Sequence, residues 1–285
     1  MTKTYLFLLL FITSSSLINA QDRAFKLYNA KGKEAKYDKI IEQLSETDIL
    51  FIGEYHNNPI SHWLELEITK SISSKKQVVL GAEMFERDNQ QQLNAYLHDS
   101  IDYKTLDSTA RLWQNYKTDY APLVDFAKQE KIPFIATNIP RRYAKQVYKG
   151  GFEILDSLTL EEKKYIAPLP IPYDSTLKCY ADMLNMMPTS HGGNNLPKAQ
   201  AIKDATMAYS ILENYKEGTT FIHYNGAYHS NYHQGICWYI KQTNPSLKTM
   251  TIATVSQADI NKLEKDNHQL ADYIIVVDED MTTTY

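Results

Sequence analysis

The sequence contains little cysteine, with only Cys179 and Cys237 among 285 residues. Two cysteines cannot build a disulfide scaffold. Without a Cys-x-x-Cys pair, thiolate zinc sites and thiol redox chemistry are poorly supported. A single disulfide formed in an oxidising compartment and a pair of buried unpaired thiols both stay open at this level.

Runs of Lys and Arg are also missing, and the formal net charge is −4. A mildly acidic chain argues against nucleic acid and anionic membrane surfaces as main partners. There is no Gly-x-Gly-x-x-Gly loop, Walker A loop or Gly-x-Ser-x-Gly elbow. Their absence argues against a dinucleotide-binding protein, a P-loop NTPase and a serine hydrolase. Glycine and proline are few, ten of each, which argues against disorder.

The N-terminal apolar run, residues 5–12 (YLFLLLFI), is too short to span a bilayer. It follows a basic start at Lys3 and precedes a small-residue sequence that ends at Ala20, a pattern typical of a secretory signal peptide. A transmembrane anchor is the less favoured alternative. We therefore expect residues 1–20 to be a signal peptide and residues 21–285 to form one exported domain, periplasmic or associated with the outer membrane.

Short β-prone runs alternate with helix-length segments along the rest of the chain. This alternation predicts an α/β fold with a mostly parallel central sheet flanked by helices. Residues 150–197 hold no strong strand and are rich in Pro and Met, so we expect a helical insertion, or lid, over the C-terminal strand edge. The predicted strands are residues 48–53, 77–83, 131–137, 219–225, 248–255 and 273–277, with residues 25–28 as an additional edge strand.

The pattern Gly-x-x-His occurs twice, each time directly after a predicted strand. The first copy is GEYH, residues 53–56, and the second is GAYH, residues 226–229. The carboxyl ends of parallel strands are where ligands bind in open α/β sheets. Two such strands can therefore aim His56 and His229 into one crevice.

Two carboxylates accompany these histidines. Glu83 lies in the apolar run VVLGAEMF, where a carboxylate is costly unless it is paired or bound to a metal. A structural ion pair with Arg87 or Arg141 is the alternative for this residue. Glu54 could orient His56, ligate a metal or act as a base, or it could be a surface carboxylate near a helix N-terminus.

The candidate catalytic residues are therefore Glu54, His56, Glu83 and His229. His56, Glu83 and His229 are also candidate ligands of a divalent ion such as Mn or Co, and an acid–base pair without metal stays open. The stretch HSNYH, residues 229–233, lacks the Glu of a zincin HExxH motif. The same predicted edge carries Glu86, Asn138, Arg141 and Asn225.

Five blocks, in order along residues 48–277, resemble the ChaN-like haem-binding uptake proteins of the Tiki/TraB/EreA superfamily. They are ILFIGEYHNNP, GAEMFERDNQQQL, ATNIPRRYAKQV, KDATMAYSI and FIHYNGAYHSNYHQGI. The resemblance implies an α/β core with a helical insertion and an exported bacterial protein of haem or iron uptake. It also implies a homodimer that binds haem, and it suggests an outer-membrane uptake system as a partner.

The same superfamily includes metal-dependent Tiki proteases and erythromycin esterases, whose active-site positions match Glu54, His56, Glu83 and His229. Asp204, in KDATMA, matches a further block and is expected to form a salt bridge or hold a neighbouring His. A metal-dependent hydrolase, with Glu54 as base and a metal that lowers the pKa of water, is therefore the alternative function. A binding module that keeps a degenerate cleft is a third.

Haem requires an apolar slot and an axial ligand from His, Tyr, Met or Cys. The insertion offers several such side chains, and of these Tyr180 and His191 are the favoured candidates. In this interpretation the insertion binds haem, and the two Gly-x-x-His loops mark the ancestral active site.

Overall fold

The computed structural model describes residues 23–186 and 195–285. The predicted signal peptide and the candidate ligand His191 lie outside these residues. Within the described ranges, no helix combines the length and apolarity needed to cross a bilayer.

Seven strands form one sheet in the described residues, in the order β1-β7-β6-β2-β5-β3-β4. β1 runs antiparallel to β7, and the remaining neighbours are parallel. The predicted α/β class and the additional edge strand are therefore confirmed, and the structure shows that this edge strand is antiparallel. The strands are β1 (Phe25–Asn29), β2 (Ile49–Glu54), β3 (Val78–Glu86), β4 (Phe134–Asn138), β5 (Thr220–Gly226), β6 (Thr249–Gln257) and β7 (Tyr273–Asp278).

Helices cover both faces of this sheet. Local signals explain where they begin: α2 starts after Asn58, whose side chain accepts the Ser61 backbone N–H at 2.9 Å, and Pro59 occupies its first turn. The helices are α1 (Tyr37–Leu44), α2 (Pro59–Ser73), α3 (Gln90–Leu97), α4 (Tyr103–Thr109), α5 (Ala121–Glu130), α6 (Arg141–Gly150), α7 (Leu160–Lys163), α8 (Lys178–Met186), α9 (Leu196–Asn214) and α10 (Ile236–Thr243).

The central strands are buried on both faces. In β2, Leu50 and Ile52 join the core that includes α2, while Ile49 and Phe51 join the core that includes α9 and α10. Alternate side chains of a strand point to opposite faces, so an uninterrupted apolar run is what a strand between two helical layers needs.

β2 and β5 are neighbours, and Glu54 pairs with Gly226 in their register. The two Gly-x-x-His loops consequently leave the sheet side by side at its C-terminal edge. Gly53 is required by this close approach, since a Cβ there would lie 2.9 Å from the Ala227 Cα and 3.0 Å from the Ile252 carbonyl oxygen.

The described part of the predicted insertion contains helical segments and no strand, and residues 164–177 between α7 and α8 are turns and irregular structure. A 3₁₀ segment at Phe152–Ser157 precedes α7, and α8 packs on α9. Met183 of α8 lines the cavity at the C-terminal sheet edge. Cys179 and Cys237 are both buried free thiols.

Candidate functional site

The loop after β2 holds His56 against the carboxylate of Glu54. The His56 Nδ1 lies 2.6 Å from the Glu54 Oε1, which also accepts the Tyr120 hydroxyl at 2.7 Å. The Glu54 side chain is 0% exposed, whereas that of His56 is 36% exposed. His56 is thus anchored on its Nδ1 side by a buried acid and is open to solvent elsewhere.

The loop after β5 holds His229 between two carboxylates. Its Nε2 lies 3.1 Å from the Glu83 Oε1, and its Nδ1 contacts the Asp204 Oδ1. The other oxygen of Asp204 accepts the Tyr180 hydroxyl at 2.7 Å, and the other oxygen of Glu83 accepts the Gly226 backbone N–H at 2.9 Å. The structure places Asp204 in the role that the sequence resemblance implied, as the partner of a neighbouring His.

The pair Glu54–His56 and the cluster around His229 meet at Gly226. A Cβ on this glycine would lie 2.8 Å from the His56 Cε1 and Nε2 and 3.5 Å from the Glu83 Oε2. The missing side chain is therefore what lets the His56 ring sit against β5, beside Glu83. The structure brings all four predicted catalytic residues to one place.

The protonation states of His229, Glu83 and Asp204 depend strongly on one another. Burial alone would lower the pKa of His229, but Glu83 and Asp204 raise it to about 9. Burial alone would raise the pKa of Glu83, but the charge of His229 brings it well below its usual range. The pKa of Asp204 is raised, because burial outweighs the attraction of His229. At neutral pH, His229 and Glu83 therefore form a buried ion pair.

The same balance of burial and charge governs the pair Glu54 and His56, although His56 is less buried than His229. Burial would raise the pKa of Glu54, but hydrogen bonds with His56 and His62 lower it to about 2. Burial would lower the pKa of His56, yet Glu54 raises it above its usual value. Glu54 is consequently an anion that orients the imidazole facing the cavity and raises its pKa.

A further polar cluster lies behind Glu54, and the sequence analysis missed it. His62 and Glu65, both on the buried face of α2, approach Glu54 from below the loop. The His62 Nδ1 is 3.4 Å from the Glu54 Oε2 and 3.3 Å from the Glu65 Oε2. The spacing of His62 and Glu65 by three positions on a helix with apolar neighbours was the available signal.

Two adjoining cavities open at this sheet edge, with volumes of about 760 and 700 Å³. Both are lined by His56, Glu83 and Lys203. The smaller one is also lined by Tyr55 and Tyr228, which are 41% and 39% exposed. Cavities of this size accommodate small organic ligands and cofactors.

The other residues predicted at this edge have mainly supporting roles. Asn138 donates to the Glu83 carbonyl oxygen at 2.9 Å, and Arg141 lines the larger cavity. Glu86 pairs with Arg111, 2.8 Å away. Asn225 is fully buried and donates to the Ser230 hydroxyl at 3.0 Å.

His229 and His233 do not share a helix face. They lie in two separate 3₁₀ turns, and His233 has a φ of 55°. The Nε2 of His233 contacts Asp272 at 3.4 Å instead. The interpretation that HSNYH is not a zincin motif agrees with this local geometry.

Tyr180 lies in the core, and its exposed fraction is 0%. Its hydroxyl donates to Asp204, and burial raises the phenol's pKa far above its usual range. Ligation of iron by this oxygen would require it to leave Asp204. The ligand assignments of Tyr180 and His191 stay predictions, and His191 lies outside the described residues.

Comparison with known proteins identifies the family. The sequence profile described as "Haem-binding uptake, Tiki superfamily, ChaN" matches residues 40–240, which is more than half of the chain. The chain belongs to this family, as the five sequence blocks predicted.

Two solved structures share this fold, and a plant protein is similar to this chain in sequence. A solved structure of ChaN of Campylobacter jejuni with cofacial haem binding covers 90% of this chain and 98% of its own, with a TM-score of 0.67 and 17% identity. A Bacillus cereus protein covers 89% and 94%, with a TM-score of 0.51 and 11% identity. Protein RETICULATA-RELATED 5, chloroplastic, of Arabidopsis thaliana is 28% identical over 205 residues, 66% of this chain and 27% of its own length. The match therefore spans about a quarter of that plant protein.

Proposed function

We propose that this protein binds haem in the cavity at the C-terminal sheet edge and acts in haem or iron acquisition. Membership of the haem-binding uptake family is the observation that carries the proposal. The likeness to ChaN of Campylobacter jejuni supports a common fold for the site.

The smaller cavity supplies the kind of surface that a porphyrin needs. Its volume of about 700 Å³ is bounded by apolar groups from separate elements, among them Met183, Val255 and Leu270. Lys203 lies at the junction of both cavities, and Arg141 lines the larger one. These cations could pair with haem propionates while the ring lies against the apolar wall.

Two tyrosines of the cavity wall are our candidates for contact with the iron or the ring. Tyr55 and Tyr228 each precede the His of a Gly-x-x-His motif, and both line the smaller cavity. Tyr, His and Met are all established haem-iron ligands, so this wall offers Tyr55, Tyr228, His56 and Met183. One of these side chains would hold the iron of bound haem, and the haem would supply the chromophore.

Titration of the purified protein with haemin tests this function. We expect a saturable shift of the Soret band, because axial ligation changes the electronic structure of the iron. Tyr55→Phe and Tyr228→Phe should be compared with Tyr180→Phe, His191→Ala and the control Tyr103→Phe, whose ring stacks on Tyr116 instead of lining the cavity.

Loss of the axial oxygen should change the Soret position and weaken binding by about tenfold or more. If only Tyr180→Phe or His191→Ala removes the shift, the ligand lies in the insertion. A protein that gives no saturable shift would contradict the proposal.

Export, a homodimer and an outer-membrane uptake partner belong to the same proposal. The N-terminal sequence pattern and the resemblance to uptake proteins support them. Light scattering with and without haemin should show a dimer in the haem-bound form. Cell fractionation should place the chain outside the cytoplasm.

A metal-dependent hydrolase is the second candidate function, supported by the two His–carboxylate groups that meet at Gly226. Haem binding does not require such a convergence. His56 would exchange protons with substrate or water in the cavity while Glu54 holds its Nδ1. Glu83 and His229 would hold a divalent ion such as Mn or Co in place of the proton that His229 carries at neutral pH, and the ion would activate water when bound.

A panel of peptide and ester substrates with Mn²⁺ or Co²⁺ tests this activity. Turnover that is lost in His56→Ala and kept in Tyr103→Phe would support it. Absence of turnover with every metal would leave a binding protein that keeps the cleft.

A further inference from the structure

We propose that Glu54, His62 and Glu65 form a buried binding site for one divalent transition-metal ion of the zinc type, behind the haem cavity. This site is distinct from the predicted set His56, Glu83 and His229. The proposal does not depend on haem binding or on hydrolase activity.

The three residues bring their donor atoms together from two elements. Glu54 ends β2, while His62 and Glu65 project from α2. One ligand atom of each lies within 4.8 Å of the others, and all three side chains are buried. The His62 Nδ1 is 3.4 Å from the Glu54 Oε2 and 3.3 Å from the Glu65 Oε2.

The two separations from the His62 Nδ1 match those of ligands around one ion. Two donors bound at about 2.1 Å to a tetrahedral ion are about 3.4 Å apart. One imidazole nitrogen and two carboxylate oxygens are a donor set that zinc accepts. A divalent ion with two carboxylates and a neutral imidazole has no net charge, which suits a site without solvent.

Unpartnered oxygens point to the same conclusion. The Glu54 Oε2 and the Glu65 Oε1 are buried without a hydrogen-bond donor. A buried carboxylate oxygen left in this way is costly, and a cation satisfies it directly. The Glu65 Oε1 is available as the fourth ligand if this carboxylate binds through both oxygens.

The far side of His62 has the contacts that orient a metal-bound imidazole. Its Nε2 lies 3.2 Å from the His56 carbonyl oxygen and 3.5 Å from the Asp119 Oδ2. A ligating His commonly donates its other N–H to a carbonyl or a carboxylate, which fixes the ring. Asn115 donates to that same carbonyl oxygen at 2.8 Å.

The ion would act on the cavity through Glu54. One oxygen of Glu54 would bind the ion, and the other accepts from Tyr120 and contacts His56. An ion at this position would fix the Glu54 carboxylate and so the orientation of His56. A shared proton is the competing occupant, because burial and the charge of Glu54 raise the pKa of Glu65 well above its usual range.

Metal analysis of untagged protein distinguishes these occupants. The protein is unfolded in EDTA, refolded with Zn²⁺, freed of excess metal and measured by mass spectrometry, with circular dichroism to confirm folding. We expect about one zinc per chain in the unchanged protein and in Glu83→Gln, which removes a buried carboxylate of the other group. Glu65→Gln should lose the ion.

X-ray absorption of the zinc-loaded, unchanged protein gives a result that does not depend on the folding of a variant. A shell with one imidazole and two carboxylates is expected, whereas the set His56, Glu83 and His229 would give two imidazoles. Any of three results would overturn the proposal. These are a shell with two imidazoles, zinc that is lost from Glu83→Gln but kept in Glu65→Gln, and correctly refolded protein that contains no zinc.

Discussion

The two Gly-x-x-His loops share a sequence pattern but differ in how each histidine is held. His229 is buried between Glu83 and Asp204, with each ring nitrogen facing a carboxylate. His56 has one acidic partner, Glu54, and a side chain that is 36% exposed. The arrangement around His229 fixes an ion pair inside the protein, and the arrangement around His56 presents an imidazole to the cavity.

This difference indicates that the two histidines have different roles in one cleft. The His229 group ties β3, α9 and the β5 loop together through buried charge, which makes it expensive to disturb. The His56 side chain is more exposed than that of His229 and lines both cavities. A repeated motif therefore does not imply a repeated role, because burial sets what each copy can do.

The largest expected effect comes from removing one partner of the buried group. Asp204→Ala leaves His229 and the Tyr180 hydroxyl without their shared acceptor, and should lower the free energy of unfolding by about 3 to 5 kcal/mol. His56→Ala, whose side chain is partly exposed, should cost about 1 kcal/mol. Urea denaturation of both variants measures this contrast, and equal losses would show that the two loops are held alike.

The second effect is a dependence of stability on pH. The pKa of His229 is raised from 6.5 to about 9, so its stabilising contribution is complete below pH 6.5 and is lost as the pH rises through 9. The loss should be on the order of 2 to 3 kcal/mol. Denaturation between pH 6.5 and 9.5 should show this fall.

His229→Gln is the matched variant for that slope. It should flatten the fall between pH 7 and 9. In the metal-free protein, the pKa of His62 is raised to about 11 by Glu54 and Glu65 against the effect of burial, so His62 also stabilises the fold until the pH passes that value. An equally steep slope in His229→Gln would assign the pH dependence to other groups.

The smallest effect compares the two motif glycines. Gly53→Ala would press against backbone, 2.9 Å from the Ala227 Cα, and should cost about 1 to 3 kcal/mol. Gly226→Ala would meet the His56 ring, 2.8 Å away, and this partly exposed ring can move. We expect a smaller loss of stability but a clear change in haemin affinity for Gly226→Ala. A larger loss of stability in Gly226→Ala than in Gly53→Ala would show that the His56 ring yields less than the backbone at Ala227.

Local patterns were sufficient for the strands and for placing four candidate site residues at one edge of the sheet. Apolar runs marked β2 and β5, and the Gly that ends each run predicted a His at the sheet edge. The alternation of strands and helices fixed the parallel arrangement, since such connections place all strand ends on one side. Glu83 stood out because a carboxylate in an apolar strand requires a partner.

The partners themselves did not follow from local pattern. Glu83 pairs with His229 instead of with the two arginines considered for it, and Arg87 contacts Glu213, 3.0 Å away. His62 and Glu65 carried no motif, because their meeting with Glu54 depends on how α2 crosses the sheet. Tyr180 looked available as a ligand from sequence, but α8 packs it into the core against Asp204.

The sequence by itself determined the fold class, the family and the edge of the sheet where the candidate site lies. These follow from periodicity and from short motifs that act over a few residues. The tertiary structure decided which histidine is buried, which carboxylate pairs with it, and that a second cluster lies behind Glu54. These depend on contacts between segments far apart in the chain, where burial and nearby charge set the protonation of each group.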